Sequence, residues 1–398
     1  MLADPTTGSR AMANATSASL PSDEGSIGIL EYVTAIAGTD KLPKGDIRPV
    51  LLGLFGEVGE MMATVKKTRR EDLAYVDAAR ASIEELGDAL WYLATLCTRL
   101  AIPLDEIFST AARLEQIGTV IAANDRDNWP IAQIPLIAMA DDLVDELILL
   151  GERTAALLPI PGAGDRTHEL LIAFARSYLR VVRASNLSFA TIARKNVDKT
   201  VGRFREPAPE TLSDFDKGFE TEEQLPREFE ISISQRKSGK THMSWKGVFI
   251  GDPLTDNIRD PDGYRFHDVF HFAYAAILHW SPVVRALIKH KRRSDQKFDE
   301  GEDGGRAIVV EEGLTAWIFS RAKSTNFFAD QDKLPFDLLK TVGEFVSGYE
   351  VADCPLRLWE RAILDGYKVF RDIRKNEGGV IVGNRAERTI AYKPIGGR

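Results

Sequence analysis

Two pairs of carboxylates stand inside apolar helical sequence and have the spacing of a cation site. Glu57 and Glu60 are three residues apart within "GLFGEVGEMMATVKK", and Glu85 and Asp88 have the same spacing within "IEELGDALWYLATL". Residues three apart share one face of a helix, so each pair can present two carboxylates from a single turn. If the two helices pack antiparallel, the four carboxylates converge.

Such a cluster raises the pKa values of its members and is costly to bury unless a cation compensates the charge. Oxygen-only ligation suits Mg²⁺ better than zinc, and protein-bound magnesium commonly takes substrate phosphates as its remaining ligands. The pattern therefore predicts metal-assisted phosphoanhydride hydrolysis, with Glu57 as a candidate general base. The alternative is that the acids form salt bridges with nearby cations such as Lys66, Lys67 and Arg99.

The elements that must position these groups are helices. Apolar residues recur at helical spacing from residue 26 to 204, which predicts an N-terminal all-α bundle. Residues 1–25 lack periodicity and are predicted to be a disordered arm. The acidic, Pro-containing residues 205–226 predict a linker to a second domain at 227–398.

The second domain is predicted to be α+β and mostly helical, so the fold class is mainly α. "EFEISISQ" and "THMSWKGVFIG" alternate apolar and polar residues and predict one β-hairpin, and "GGVIVGNRAERTIAYKP" predicts another. The stretch 289–306 changes from basic to acidic and predicts a solvated loop. The alternative is a lid that closes Arg292 and its neighbours over phosphates.

The helical half also repeats itself at a constant offset of 85 residues. This offset aligns Glu57 with Asp142 and Glu60 with Asp145, but it aligns Asp88 with Ala173. The sequence therefore predicts a tandem duplication in which the first copy alone keeps all four acids. The two repeats are predicted at about residues 30–115 and 116–204. The alternative is two unrelated amphipathic hairpins of similar length.

"GEVGEMMATVKK" followed by "EELGDALWYLATL" resembles the MazG-type, all-α nucleoside triphosphate pyrophosphohydrolases, which pair an E-x-x-E helix with an E-x-x-D helix. The resemblance covers roughly residues 50–100 closely. It implies Mg²⁺-dependent hydrolysis of a (deoxy)nucleoside triphosphate to the monophosphate and pyrophosphate, with Mn²⁺ able to substitute. It implies metal-ligand roles for four residues: Glu57, Glu60, Glu85 and Asp88. It also implies that Lys66 or Lys67 contacts phosphate.

Members of this family tend to carry an Asn, a Lys and an Arg on one later helix, and here Asn196, Lys199 and Arg203 match. These residues stand in the second copy, which departs from the usual single-copy arrangement. The resemblance implies that copy one supplies the carboxylates and copy two the substrate-binding groups. Because relatives assemble as dimers, the fused tandem is expected to fold as a pseudo-dimer, and further homo-oligomerisation stays open. The alternative is that the three residues form a polar helix face.

The C-terminal half carries a weaker metal pattern. "YRFHDVFHFAYA" places His267 and His271 four residues apart on one helix face, with Asp268 adjacent, and "EEG" supplies Glu311 and Glu312. We expect a hydrogen-bonded cluster that fixes the helices, with a second metal site as the alternative. The segment after residue 205 is similar to the C-terminal domain appended to some MazG-like proteins, a resemblance that implies no reaction of its own.

Composition excludes several classes of function. The chain has 398 residues, 44% of them hydrophobic, and a formal charge of −8, so general nucleic-acid binding is not expected. It has no apolar run near the roughly 18 residues of a membrane span, and its two cysteines fit neither a disulfide framework nor a zinc site. We therefore expect a cytoplasmic enzyme that acts on nucleoside triphosphates, with no membrane partner. The alternatives are a nucleotide sensor whose C-terminal domain is the effector, and a phosphohydrolase centred on His267.

Overall fold

The computed structural model describes residues 28–71, 78–116, 143–160, 162, 164–256 and 258–395. The chain divides into two compact units, Met1–Val197 and Asp198–Arg398. The predicted arm at residues 1–25 lies outside the described residues, as does Asp142. The division shows that residues 198–226 belong with the C-terminal unit.

The first unit is built from helices alone in its described part. Their order is α1 (Ile29–Ile36), α2 (Arg48–Glu71), α3 (Ala78–Arg99), α4 (Leu104–Leu114), α5 (Leu143–Leu157), α6 (Asp165–Ala184) and α7 (Phe189–Phe204), the last of which contains the unit boundary. Helix α2 packs on α3, and α5 packs on α6. Apolar residues at helical spacing, such as Leu54, Val58 and Leu86, form the buried core because they line one side of their helices.

Helix boundaries in the first unit repeat at the predicted offset. Helix α3 ends at Arg99 and α6 ends at Ala184, and α4 begins at Leu104 while α7 begins at Phe189. The two helix ends are 85 residues apart, and so are the two helix starts. Each predicted copy contains one helical hairpin, α2–α3 in the first and α5–α6 in the second. The helix arrangement agrees with two copies, and a common origin of the copies stays a prediction.

The second unit combines a sheet with helices. Its strands are β1 (Glu228–Gln235), β2 (Thr241–Trp245), β3 (Val248–Leu254), β4 (Gly378–Asn384) and β5 (Thr389–Lys393). Its helices are α8 (Asp268–Ile277), α9 (Pro282–Ile288), α10 (Gly305–Ala322), α11 (Phe336–Phe345) and α12 (Leu356–Asn376). Helices α8 and α12 pack against each other and against β4 and β5. The prediction of a mainly α fold with β-hairpins in the C-terminal half is confirmed.

All five strands form one antiparallel sheet in the order β3-β2-β1-β4-β5. The predicted second strand, "THMSWKGVFIG", is two strands, because Lys246 and Gly247 form a two-residue turn with φ of 50° and 80°. Two consecutive positive φ values are typical of the tight turns that fit the twist of a hairpin. Residues Phe229, Ile231 and Ile233 of β1 alternate inward and cover the helices with their side chains.

The predicted linker contributes to the core of the second unit. Phe215 and Leu225 are buried there, and the buried carboxylate of Asp216 pairs with Arg285 and Arg385. The acidic composition of this segment is typical of a solvated linker, but the Asp216 carboxylate is buried because it is paired with two buried arginines.

The predicted solvated loop at 289–306 is also partly buried. Arg292 has no exposed surface, and its Nη2 lies 2.7 Å from Asp303 Oδ1 and 2.6 Å from Glu350 Oε1. Buried charges persist when they are paired and hydrogen-bonded, which is the case for this arginine. The alternative of a lid in which Arg292 binds phosphate is therefore wrong for this side chain.

Among the helices that the structure describes, none combines the length and apolar character that crossing a membrane requires. Cys97 and Cys354 are free thiols, and burial raises the pKa of each to about 12.

Candidate functional site

Three of the four predicted carboxylates meet between α2 and α3. Glu57 on α2 and Glu85 and Asp88 on α3 each offer one carboxylate oxygen, and these atoms all lie within 4.8 Å of one another. All three side chains are half-buried, beside core residues such as Leu54 and Leu86. Three negative groups at this separation repel one another unless a cation or a proton joins them.

Glu60 does not join this group in the described structure. It is exposed on α2, whereas Glu57 is half-buried. Residues on an α-helix are about 100° apart, so three residues further along the side chain has turned by about 60°. The buried side chains Leu54, Val58 and Met61 mark the core side of α2, with Glu57 at its edge and Glu60 beyond it.

Helix α7 places an amide beside the carboxylates. Asn196 is buried, and its Nδ2 donates a hydrogen bond to Asp88 Oδ1 over 3.0 Å. Tyr32 donates its hydroxyl hydrogen to Asn196 Oδ1 over 2.8 Å. Because an amide oxygen only accepts, this bond fixes which side of the Asn196 amide faces Asp88. Asn196, predicted as a substrate-binding residue, therefore acts on a carboxylate in this structure.

The Tyr32 hydroxyl remains a donor over the whole physiological pH range. Its burial, with smaller contributions from the neighbouring Tyr178 hydroxyl and the Asp88 carboxylate, raises the pKa of Tyr32 well above its usual value of 10.0. Tyr32 is not among the residues predicted from sequence. Its 164-residue separation from Asn196 leaves no local pattern to find it by.

A glycine lets α7 approach α3 closely at this point. A Cβ atom on Gly87 would lie 3.0 Å from Asn196 Cβ and 3.4 Å from the carbonyl oxygen of Ile192. Helix α6 fixes the same turn of α3, because the Tyr178 hydroxyl donates to the carbonyl oxygen of Leu86 over 2.8 Å. Residues of α6 and α7 thus set the position of Asp88.

The two predicted phosphate-binding lysines lie further along α2. Lys66 and Lys67 are exposed, nine and ten residues after Glu57. At a rise of 1.5 Å per residue this is roughly 14–15 Å along the helix axis. Their role in substrate binding stays a prediction.

Arg203 on the last turn of α7 is held within the second unit. Its Nη1 lies 2.8 Å from Glu360 Oε2, and its Nη2 donates to the carbonyl oxygen of Leu334 over 3.0 Å. Arg203 and Glu360 are both buried, so this guanidinium has a structural role there. Lys199 lies with its Nζ 4.5 Å from the ring centroid of Phe336, and its substrate-binding role stays a prediction.

The C-terminal pattern brings together the residues that the sequence singled out. His267 precedes α8, Asp268 begins it and His271 follows one turn later, and one ligand atom from each lies within 4.8 Å of the others. All three are buried. Glu311 and Glu312 on α10 face this cluster, with Glu311 Oε1 2.8 Å from His271 Nδ1.

Electrostatics in this cluster are strongly coupled. Burial alone would lower the pKa of His271, but the carboxylates of Glu311 and Glu312 outweigh it and raise that pKa to about 10. Burial raises the pKa of Asp268, although the two histidines oppose this shift. Burial would also raise the pKa of Glu312, but His267 and His271 hold it well below its usual range.

Comparison with known proteins identifies the class of the second unit. Residues 210–396 match the family model described as the MazG C-terminal domain. The chain therefore contains a MazG-related domain, and the match begins within the segment that the sequence analysis predicted as a linker. No curated protein and no solved structure matched the chain.

Proposed function

We propose that the chain is a Mg²⁺-dependent nucleoside triphosphate pyrophosphohydrolase whose reaction centre lies between α2 and α3. The observation that carries the proposal is the convergence of Glu57, Glu85 and Asp88 within 4.8 Å. The MazG-related domain in the same chain supports a nucleotide-associated function.

The residues of the carboxylate group fit a magnesium ion. Every ligand atom they offer is a carboxylate oxygen, which is the donor type that Mg²⁺ prefers, and Mn²⁺ accepts the same set. The side chains are half-buried, so three sites of negative charge are concentrated without being closed off from solvent. When bound there, a divalent ion would polarise the phosphate oxygens and lower the pKa of an attacking water.

In the proposed reaction, a water oxygen bonds to the α-phosphorus, the bond from that phosphorus to the bridging oxygen breaks, and pyrophosphate leaves. A carboxylate of the group accepts the proton of the water, and Glu57 is our candidate for this base. Asn196 holds Asp88 in one orientation, and Tyr32 holds Asn196. We expect Lys66 and Lys67 to bind phosphate oxygens, since both are exposed cations on α2.

A panel of the eight common nucleoside triphosphates tests this proposal. Each is incubated with the full chain and Mg²⁺, and monophosphate, pyrophosphate and orthophosphate are quantified for the wild type and for Asp88→Asn. We expect equal amounts of monophosphate and pyrophosphate from the wild type, and a loss of at least about 100-fold in the variant. The panel also identifies the preferred base, for which the described residues provide no pattern.

Two results would overturn the proposal. Saturable nucleotide binding without any product would indicate a nucleotide sensor instead of an enzyme. Turnover that survives Asp88→Asn but disappears in His267→Ala would place the reaction in the second unit.

A further inference from the structure

Two histidines of the second unit, His267 and His271, direct their Nε2 atoms toward the same oxygen of Glu312. His267 Nδ1 lies 2.9 Å from the carbonyl oxygen of Tyr264, and a carbonyl only accepts, so Nδ1 carries the hydrogen. His271 Nδ1 lies 2.8 Å from Glu311 Oε1 and donates to it in the neutral ring. Nε2 of each neutral ring therefore bears the lone pair.

Glu311 is fixed as the acceptor for His271. Its Oε1 also accepts from the Ser281 hydroxyl over 2.7 Å, and its Oε2 accepts from the Val283 backbone N–H over 2.9 Å. Three donors around one buried carboxylate leave it little freedom to turn. Histidines that bind metals almost always donate their other N–H to a carboxylate or a backbone carbonyl, and both rings here do so.

One buried ring nitrogen in the cluster lacks a hydrogen-bond partner. His271 is fully buried, and its Nε2 makes no hydrogen bond. Asp268 is 6% exposed, and one of its carboxylate oxygens lies within 4.8 Å of a ring nitrogen of each histidine. Leaving a buried donor or acceptor unpaired costs about 1–3 kcal/mol, more for a charged group. A bound cation would give His271 Nε2 a partner and would join it to the Asp268 carboxylate.

Glu312 places a carboxylate oxygen close to the Nε2 atoms of both histidines. Its Oε2 lies 3.5 Å from His267 Nε2 and 3.4 Å from His271 Nε2. Both distances exceed the usual N–H···O range of about 2.7–3.2 Å. A tetrahedral ion with bonds of about 2.0–2.1 Å places its ligand atoms roughly 3.3–3.4 Å apart, close to these values.

We propose that the second unit binds one divalent transition-metal ion of the zinc type through His267, Asp268, His271 and Glu312. Two imidazole nitrogens favour such an ion over magnesium, whose preferred ligands are oxygens. The ion would join the start of α8 to α10, with Glu311 orienting one ligand from outside the coordination sphere. This site is independent of the proposed pyrophosphohydrolase centre, which belongs to the first unit.

A purely hydrogen-bonded cluster explains only part of this arrangement. It accounts for Glu311, which has three donors, but it leaves the buried His271 Nε2 without a hydrogen bond. In the proposed metal site, His267, Asp268, His271 and Glu312 are ligands, and Glu311 orients the ring of His271.

Cobalt binding to the full chain tests the site. The chain with Asp88→Asn, which disables the carboxylate group of the first unit, is freed of metal with a chelator and titrated with Co²⁺. We expect the visible absorption of tetrahedral Co²⁺ at a single equivalent, displaced by Zn²⁺. Adding His271→Gln or Asp268→Asn should weaken binding by at least about tenfold. Adding His242→Gln, on strand β2 outside the cluster, should leave it unchanged.

The proposal fails if the folded chain shows no such absorption, or if the cluster variants bind Co²⁺ as tightly as the parent. Circular dichroism confirms that each variant is folded. Should the fully buried His271 not tolerate replacement, Glu312→Gln provides the test, because the Glu312 side chain is 39% exposed and is less involved in the core. Equal affinity in a folded Glu312→Gln chain would remove Glu312 as a ligand and overturn the four-ligand site.

Discussion

Asn196 donates a hydrogen bond to Asp88 across 108 residues of sequence, with its Nδ2 3.0 Å from Asp88 Oδ1. The bond joins an amide of the second predicted copy to a carboxylate of the first. We predict that Asn196→Ala lowers kcat by about 10–100-fold, because the carboxylate loses the group that orients it. The measurement is pyrophosphate release at saturating nucleotide and varied Mg²⁺.

Lys195→Ala is the control for this prediction, since Lys195 is exposed and adjacent on α7. It should retain the wild-type rate and Mg²⁺ dependence. An Asn196→Ala chain that is folded and fully active would show that orientation of Asp88 does not limit the reaction.

Gly87→Ala should disturb the same bond through packing. The added Cβ would lie 3.0 Å from Asn196 Cβ, closer than such atoms normally approach, so α7 must move outward. We expect a loss of about 1–3 kcal/mol in the free energy of unfolding in urea, together with lower activity.

Gly59→Ala on α2 provides a matched comparison. A Cβ there meets nothing within 4 Å, and alanine favours helix, so we expect a gain of about 0.5–1 kcal/mol. If Gly87→Ala stabilises the chain as well, close contact at Gly87 does not constrain the site.

Asp88 and Glu60 should contribute unequally to the rate of nucleotide hydrolysis. Asp88 belongs to the convergent group and Glu60 is exposed, so Glu60→Gln should reduce turnover much less than Asp88→Asn. Steady-state rates and the Mg²⁺ activation constant of the two variants decide this. Equal losses would mean that Glu60 turns toward the metal when substrate binds.

Arg203→Ala should reduce stability without changing KM. It removes one partner of a buried ion pair, which typically costs about 3–5 kcal/mol, although Arg357 also contacts Glu360 with 2.6 Å between Nη1 and Oε2. Urea denaturation measures the loss. Lys393→Ala, which breaks an exposed pair with Glu230, should change stability by less than about 1 kcal/mol. A higher KM at unchanged stability would support the substrate-binding role that the family resemblance implied.

His279 should make the protein less stable in mild acid. Burial, with the nearby cations Arg385 and Arg388, lowers the pKa of His279 to about 4, and its Nε2 donates to the carbonyl oxygen of Arg385. The unfolded chain, with a histidine pKa near 6.5, then binds more protons than the folded chain between these values. Stability should therefore fall as pH drops from about 6.5 to about 4, by up to about 3 kcal/mol.

His279→Asn isolates this contribution from that of the carboxylates. Asparagine tolerates the left-handed backbone at this position, where φ is 63°, and does not titrate. The difference in unfolding free energy between wild type and variant should change across this pH window. A constant difference would show that the pKa of His279 is the same in the folded and unfolded chain.

The sequence predicted which helices carry the carboxylates because helical periodicity and the three-residue spacing are local properties. The exposure of Glu60 was also within reach, since Leu54, Val58 and Met61 define the core side of α2 and Glu60 points further from it than Glu57 does. Arg203 was predicted to bind substrate from the family resemblance, and its ion pair with Glu360 could not be predicted because 157 residues separate the two.

The histidine cluster of the second unit was also only partly predictable from sequence. His267, Asp268 and His271 form a recognisable local pattern, and Glu311 and Glu312 were noted beside it. Sequence alone could not assign separate roles to the two adjacent glutamates, because that depends on the rotation of α10 about its axis. The turn at Lys246–Gly247, in contrast, was visible in sequence as a Lys-Gly pair inside an alternating run.

The bonds from Tyr32 to Asn196 and from Asn196 to Asp88 have a consequence for the order of folding. Closing chain loops of 164 and 108 residues costs more entropy than forming the local α2–α3 hairpin, so these contacts should form late. During synthesis, a nascent chain ending before Phe189 would contain every carboxylate of the site but not the amide that holds Asp88. Such an unfinished chain should hydrolyse nucleotides more slowly than the complete chain until α7 has been synthesised and has packed on α3.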